Sequence, residues 1–164
     1  MPQSLARILV HLIFSTKNRE PFLRDDVRPE LHKYIPGILK GLDSPTISIA
    51  STRDHVHVLF SLSKNEPLIR IVEEVKKRSS KWMKTKGAAY GKFAWQSGYG
   101  AFSVSPSRSQ EVEAYLENQQ EHHRLRTRHP LPDGSILRHQ ARLVDHSPRI
   151  QALPPPPTVS EVLP

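Results

Sequence analysis

The segment RDHVHVLF places His55 and His57 two residues apart in a strand-like run. Residues i and i+2 of a strand face the same side, so two imidazoles stand together while Val56, Val58 and Phe60 face the opposite layer. Two neutral imidazoles can hold one divalent metal ion; two histidines on a half-exposed sheet face have the same spacing. A second pair, Tyr115 and Gln119 in EVEAYLENQQEHHR, stands at i and i+4 and shares one helix face. A phenol oxygen can attack a phosphodiester and form a phosphotyrosine, and a side-chain amide oxygen can complete a metal site. A core-edge aromatic beside a solvated amide fits the spacing as well. Val112 and Leu116 lie beside this pair, which points that face at a sheet, and His122 follows seven residues after Tyr115.

The third candidate is KKRSSKWMKTK, residues 76–86, with six Lys/Arg and no acid. Lys76, Lys77, Arg78, Lys81, Lys84 and Lys86 could contact phosphates, with Lys77, Lys81 and Lys84 on one helix face and Trp82 available for stacking. A solvated charged face is the plain reading of such a run. The fourth is FAWQSGYGAFSVSPS, residues 93–107. Gly98 and Gly100 flank Tyr99 and suggest a tight turn into a strand. Phe93, Trp95, Tyr99 and Phe102 could stack on bases or fill the core; Phe102 is read as core and Trp95 is left open.

These residues need elements to position them. Residues 7–15 read as a short apolar strand, and 46–51 with 55–62 as two strands joined at Thr52, Arg53 and Asp54. Residues 25–42 carry Leu31, Tyr34, Ile35, Ile38, Leu39 and Leu42 at helical spacing, with Asp25 and Asp26 at the start and Pro36 as a source of a kink. Residues 67–86 form a second helix with Leu68, Ile71, Val72, Val75 and Trp82 as its buried stripe. Residues 99–105 are a fourth strand. Residues 109–126 are a third helix, opened by Ser107 or Ser109 as a cap. The order β-α-β-β-α-β-α predicts an α+β fold of the ferredoxin-like (RRM-like) type. Such a fold has a four-stranded antiparallel sheet, two helices on one face and the tyrosine-bearing helix on the other.

Composition narrows the partners. Over 164 residues the net charge is +8 and the pI about 10.0, which points to a polyanion such as nucleic acid. With no cysteine, disulfide scaffolds, Cys-ligated zinc, iron–sulfur clusters and thiol nucleophiles are excluded. The apolar run Ile8–Phe14 is interrupted by His11 and is too short to cross a bilayer, and no signal-peptide cleavage site follows it. Eight of the fifteen prolines fall in 127–164. That stretch has no helical or strand period, so 1–126 reads as the folded domain and 127–164 as a Pro-rich, disordered or frameshifted tail.

Taken together, LVHLIFSTKNR, DHVHVLF, VEEVKKRSSKWMKTKG, FAWQSGYGAFSVSPS and YLENQQEHHR, in that order, resemble the single-tyrosine transposases of the HUH endonuclease superfamily, the enzymes of the smallest bacterial insertion sequences. The resemblance covers about residues 3–126. It implies that His55 and His57 are metal ligands, that Gln119 is the third ligand and that Tyr115 is the nucleophile. The cofactor would be Mg²⁺ or Mn²⁺. The implied reaction is cleavage and rejoining of single-stranded DNA through a 5′-phosphotyrosine, on hairpin DNA ends. The implied partners are that DNA and a second copy of the chain, in a homodimer whose sites are shared, and no membrane. The implied location is the bacterial cytoplasm, at the nucleoid. After EHHR the chain departs from the family's helical, charged ending, as a frameshift or replacement near Arg126 would produce. Two other readings stand beside the enzyme. One is a catalytically inactive relative that only binds hairpin or single-stranded DNA. The other is an RRM-like RNA binder, which is disfavoured because no K/R-G-F/Y-G/A-F-V-x-F/Y motif occurs and imidazoles occupy a sheet face where stacking aromatics are wanted.

Overall fold

The structure, a computed structural model, describes residues 6–118, all within the compact unit Met1–Pro130. Residues 119–126 of the expected third helix and the Pro-rich segment 127–164 lie outside the described residues. The elements are β1 (Leu9–Ser15), α1 (Arg28–Gly41), β2 (Thr46–Ser51), β3 (His55–Ser61), α2 (Leu68–Lys84), β4 (Gly100–Val104) and α3 (Ser109–Glu117). They form one sheet in the order β2-β3-β1-β4, with every pairing antiparallel. This is the expected ferredoxin-like order.

The two central strands are the most apolar, and they set the layers. Val10, Leu12 and Phe14 of β1 stand opposite Phe60, Val58 and Val56 of β3. All six point into the main core, where α1 contributes Leu31, Ile35, Ile38 and Leu39 and α2 contributes Ile71, Val72, Val75 and Met83. The alternate residues of the same strands face the other way. There Leu9, Leu59 and Ala50 of β2 bury Leu116 of α3 in a second, smaller cluster. The sheet thus has α1 and α2 on one face and α3 on the other.

Local details depart from the sequence reading for identifiable reasons. Asp25 and Asp26 do not cap α1, which starts at Arg28 with Pro29 in its first turn; Asp25 forms an ion pair with Arg28 instead. The helix also continues through Pro36. An interior proline costs about 3 kcal/mol, and the fully buried face on either side of it offsets that loss. Neither Ser107 nor Ser109 caps α3, because a 3-10 turn over Pro106–Arg108 leads directly into it. Ser109 Oγ donates to the Pro106 carbonyl at 3.0 Å. Trp82 is half-buried and stacks on Tyr34, with centroids 4.9 Å apart, while Met83 takes the fully buried position at the end of the stripe. No helix among the described residues is long and apolar enough to cross a membrane.

Candidate active site

Both histidines sit on β3, a central strand. His55 stands opposite Ser15 of β1, and His57 opposite Ile13 of β1 and Ala50 of β2. Strand alternation turns Val56, Val58 and Phe60 into the main core and leaves the imidazoles on the α3 face. Their ring centroids are 5.0 Å apart, and both side chains are buried.

The helix α3 brings Tyr115 to the same place. Leu116 anchors it on Leu9, Ala50 and Leu59, with Val112 and Tyr115 packed at the edge of that cluster. The Tyr115 ring lies 6.5 Å from the His57 ring, at an interplanar angle of 73°. Three of the four residues singled out for chemistry are therefore brought together. Gln119 lies outside the described residues, as do His122 and His123. Among the described residues no group of three or more His, Cys, Asp or Glu side chains could hold a metal ion.

Sequence reasoning gave no role to the groups that surround these imidazoles. Asp54 Oδ1 accepts from His55 Nδ1 at 2.6 Å, and Thr52 Oγ1 lies 2.7 Å from the same nitrogen. The other Asp54 oxygen accepts from Arg19 Nε at 2.9 Å. Burial pushes the Asp54 carboxyl up, but the hydrogen bond and electrostatic attraction of His55, the charge of Arg19 and the Thr52 hydroxyl outweigh it and hold the group well below the usual carboxylate range. On the other flank, His11 of β1 places Nε2 3.1 Å from His57 Nδ1, with the two rings stacked at 5.3 Å. Burial lowers the His11 pKa to about 4, so this ring is neutral at physiological pH. Two signals were there to be read. His11 is a polar interruption of an apolar strand, and Asp54 immediately precedes the histidine pair.

The docking of α3 is vulnerable at one residue. Leu→Ala changes in cores cost about 2–5 kcal/mol. For Leu116 that cost falls on a short helix held by a small cluster, and so on local rather than global stability. Leu116→Ala is expected to speed hydrogen exchange in α3 while thermal unfolding of the remaining core stays near wild type. Parallel loss of both would show that α3 is an integral part of the main cooperative unit.

The family model described as Transposase IS200 like matches residues 4–119. The chain belongs to the IS200-like transposase family. No curated protein matches it. Among solved structures, it resembles a protein from Deinococcus radiodurans R1 assigned as a transposase, at 24% identity and a TM-score of 0.57, covering 73% of this chain and 98% of that one. It also resembles a REP-associated tyrosine transposase bound to a REP hairpin, at 12% identity and a TM-score of 0.56, covering 75% and 73%. At these identities the likeness shows the shared fold.

In this IS200-like transposase the basic helix divides into two groups. Lys76 Nζ donates to the Gln96 carbonyl at 2.9 Å and to the Gly98 carbonyl. It also lies 5.8 Å from the Phe14 ring centroid and 5.9 Å from that of Tyr99, and burial lowers its pKa. Lys76 thus ties α2 to the turn before β4. Arg78 pairs with Glu74. Lys86 pairs with Glu30 and sits 4.3 Å over Trp82. Lys77, Lys81 and Lys84 are exposed, and no ion pair among the described residues involves them. Because α2 packs on the main core, this basic surface lies on the opposite side of the sheet from His55 and His57.

The aromatics divide as well. Phe93 is fully buried, and Trp95 donates from Nε1 to Ser79 Oγ at 2.9 Å, edge-on to Phe14 and Phe93. Phe102, expected in the core, is half-buried on the α3 face, directly opposite His11. Tyr99 is exposed.

Proposed function

We propose that this transposase cleaves and rejoins single-stranded DNA, with Tyr115 as nucleophile and His55, His57 and Gln119 as metal ligands. The observation that carries the reading is the convergence of Tyr115 and both imidazoles on one sheet face. In cleavage the Tyr115 phenol oxygen attacks the scissile phosphorus and forms a phosphotyrosine with the 5′-phosphate of the downstream strand. The bond from phosphorus to the 3′-oxygen of the upstream strand breaks, and that oxygen leaves as a 3′-hydroxyl, its proton balancing the one lost by the phenol. The phosphodiester's energy is kept in the new ester, so attack by another 3′-hydroxyl rejoins the strand without an external energy source. The donor set suits a divalent ion: buried imidazoles with Nδ1 already engaged can ligate through the other nitrogen, and a side-chain amide supplies oxygen. Imidazole favours Mn²⁺ over Mg²⁺. When bound, the ion would polarise the scissile phosphate and stabilise charge building on its oxygens.

Hairpin DNA is the proposed substrate, supported by the REP hairpin held by the second structural relative. Lys77, Lys81 and Lys84 are proposed to hold its backbone from the α2 side. Lys76 and Lys86, which act on their own chain's groups, shape that surface. Replacing all three exposed lysines with Ala is expected to lower the log–log salt slope of single-strand binding by about 2, at roughly 0.7 per phosphate contact. An unchanged slope would move the DNA path off α2.

The resemblance implies a homodimer in which tyrosine helices are exchanged. Here α3 packs on its own chain's sheet, which supports a site completed within one chain. An equimolar mixture of Tyr115→Phe and His57→Ala proteins is therefore expected to form no covalent adduct. Recovery of adduct in the mixture would establish the shared arrangement.

The test of the function itself is a covalent-adduct assay. The full chain is incubated with labelled single-stranded DNA carrying the hairpin ends beside its own gene, with Mn²⁺ or Mg²⁺, and run on a denaturing gel. A metal-dependent shifted band is expected. Hairpin binding without any adduct would leave a DNA-binding relative that cuts nothing.

A further inference from the structure

We infer that Asp54 and His11 are positioning residues that hold both β3 imidazoles as Nδ1–H tautomers, so that His55 and His57 each present Nε2 to the same cation. The inference rests on the metal-site reading above and adds residues to it.

The two rings reach this state from different neighbours. For His55 the logic is strict. An ionised carboxylate can only accept, so the 2.6 Å contact between Asp54 Oδ1 and His55 Nδ1 fixes the proton on Nδ1. Asp54 is itself held by three neighbours. Arg19 Nε donates to its Oδ2 at 2.9 Å, Thr52 Oγ1 donates to its Oδ1 at 2.9 Å, and its backbone carbonyl accepts from Thr16 N at 2.8 Å. The carboxylate therefore cannot swing away when a cation draws on the ring.

For His57 the neighbour at Nδ1 is another imidazole. That nitrogen meets His11 Nε2 at 3.1 Å, with both rings buried. One of the two nitrogens must donate. If His57 donates, its Nε2 carries the lone pair and His11 holds its own proton on Nδ1. If His11 donates, the His57 proton moves to Nε2 and that nitrogen cannot ligate. A histidine on β1 is thus the tautomer selector for the ligand on β3. Metal-binding histidines elsewhere use a carboxylate or carbonyl for this task, and such partners fix ring orientation and basicity.

The test uses the full chain with imidazole ¹⁵N-labelled histidine, metal-free and above pH 7, where two-bond ¹H–¹⁵N spectra distinguish the tautomers. Nδ1–H signals are expected for both His55 and His57; an Nε2–H signal for either overturns the assignment for that ring. Mn²⁺ titration followed by electron paramagnetic resonance then compares variants. Asp54→Ala and His11→Leu are expected to bind about ten- to a hundredfold more weakly. Asp54→Asn and His11→Gln keep an acceptor oxygen and are expected to recover most of that loss, which a merely structural role would not produce. A wild-type chain that binds no Mn²⁺ would overturn the metal site and this inference together. Wild-type binding with Asp54→Ala and His11→Leu equally tight would overturn the inference alone. Should His11→Leu fail to fold, the wild-type spectrum and His11→Gln still decide the question.

Discussion

Tyr115→Phe is expected to abolish the covalent protein–DNA adduct while leaving hairpin binding and the melting temperature at wild-type values. The substitution removes one oxygen and keeps the ring. That ring is what α3 uses structurally: it packs beside Val112 and Leu116 on the small cluster under the helix, 6.5 Å from His57. Phe preserves both contacts, so the fold has no reason to respond. The proposed chemistry has every reason to, because the phenol oxygen is its covalent nucleophile. Loss of such a group costs on the order of 10⁴–10⁶ in rate. Adduct formation at even a hundredth of the wild-type rate would place the nucleophile elsewhere. A drop in hairpin binding would mean that the hydroxyl contacts DNA before it reacts.

The parts of this site legible in the sequence are those that depend on local periodicity. The alternation in HVHVLF fixes which side chains share a face, and a four-residue step fixes which helix residues do. Both follow from backbone geometry alone. Hence the placement of His55, His57 and Tyr115 and the sequence of strands and helices along the chain could be read before the fold was seen. What could not be read depends on register between strands distant in sequence. His11 meets His57 only because Ile13, and no other residue of β1, stands opposite His57. Lys76 looks like its neighbours along the helix, yet it alone meets the Gln96 and Gly98 carbonyls at the turn before β4. Trp82 and Trp95 look like stacking platforms for bases, but Tyr34 and the Phe14–Phe93 pair already occupy them. A single sequence states which residues could pair; the sheet decides which of them do.

The same register makes His57→Ala the second large effect, and it differs from the first in kind. The proposed ligand is lost, and with it a share of the charge stabilisation that a bound ion gives the transition state, worth several kcal/mol. At 1.36 kcal/mol per tenfold, adduct formation should fall by about 10³-fold or more. Unlike Tyr115→Phe, this change also strikes the fold. His57 is fully buried on a central strand, and its removal leaves His11 Nε2 without its partner in an apolar layer. An unsatisfied buried polar group costs about 1–3 kcal/mol, and the cavity adds to it. A lowered melting temperature is therefore expected for His57→Ala and not for Tyr115→Phe. Hairpin binding should survive in both, because the exposed lysines of α2 lie on the far side of the sheet from the vacated position. Mn²⁺ affinity, adduct yield, melting temperature and hairpin affinity measured on the two variants together separate the roles. Adduct formed by His57→Ala at the wild-type rate would remove His57 from the metal site. An unchanged melting temperature would mean that the His11–His57 contact contributes nothing to the stability of the sheet.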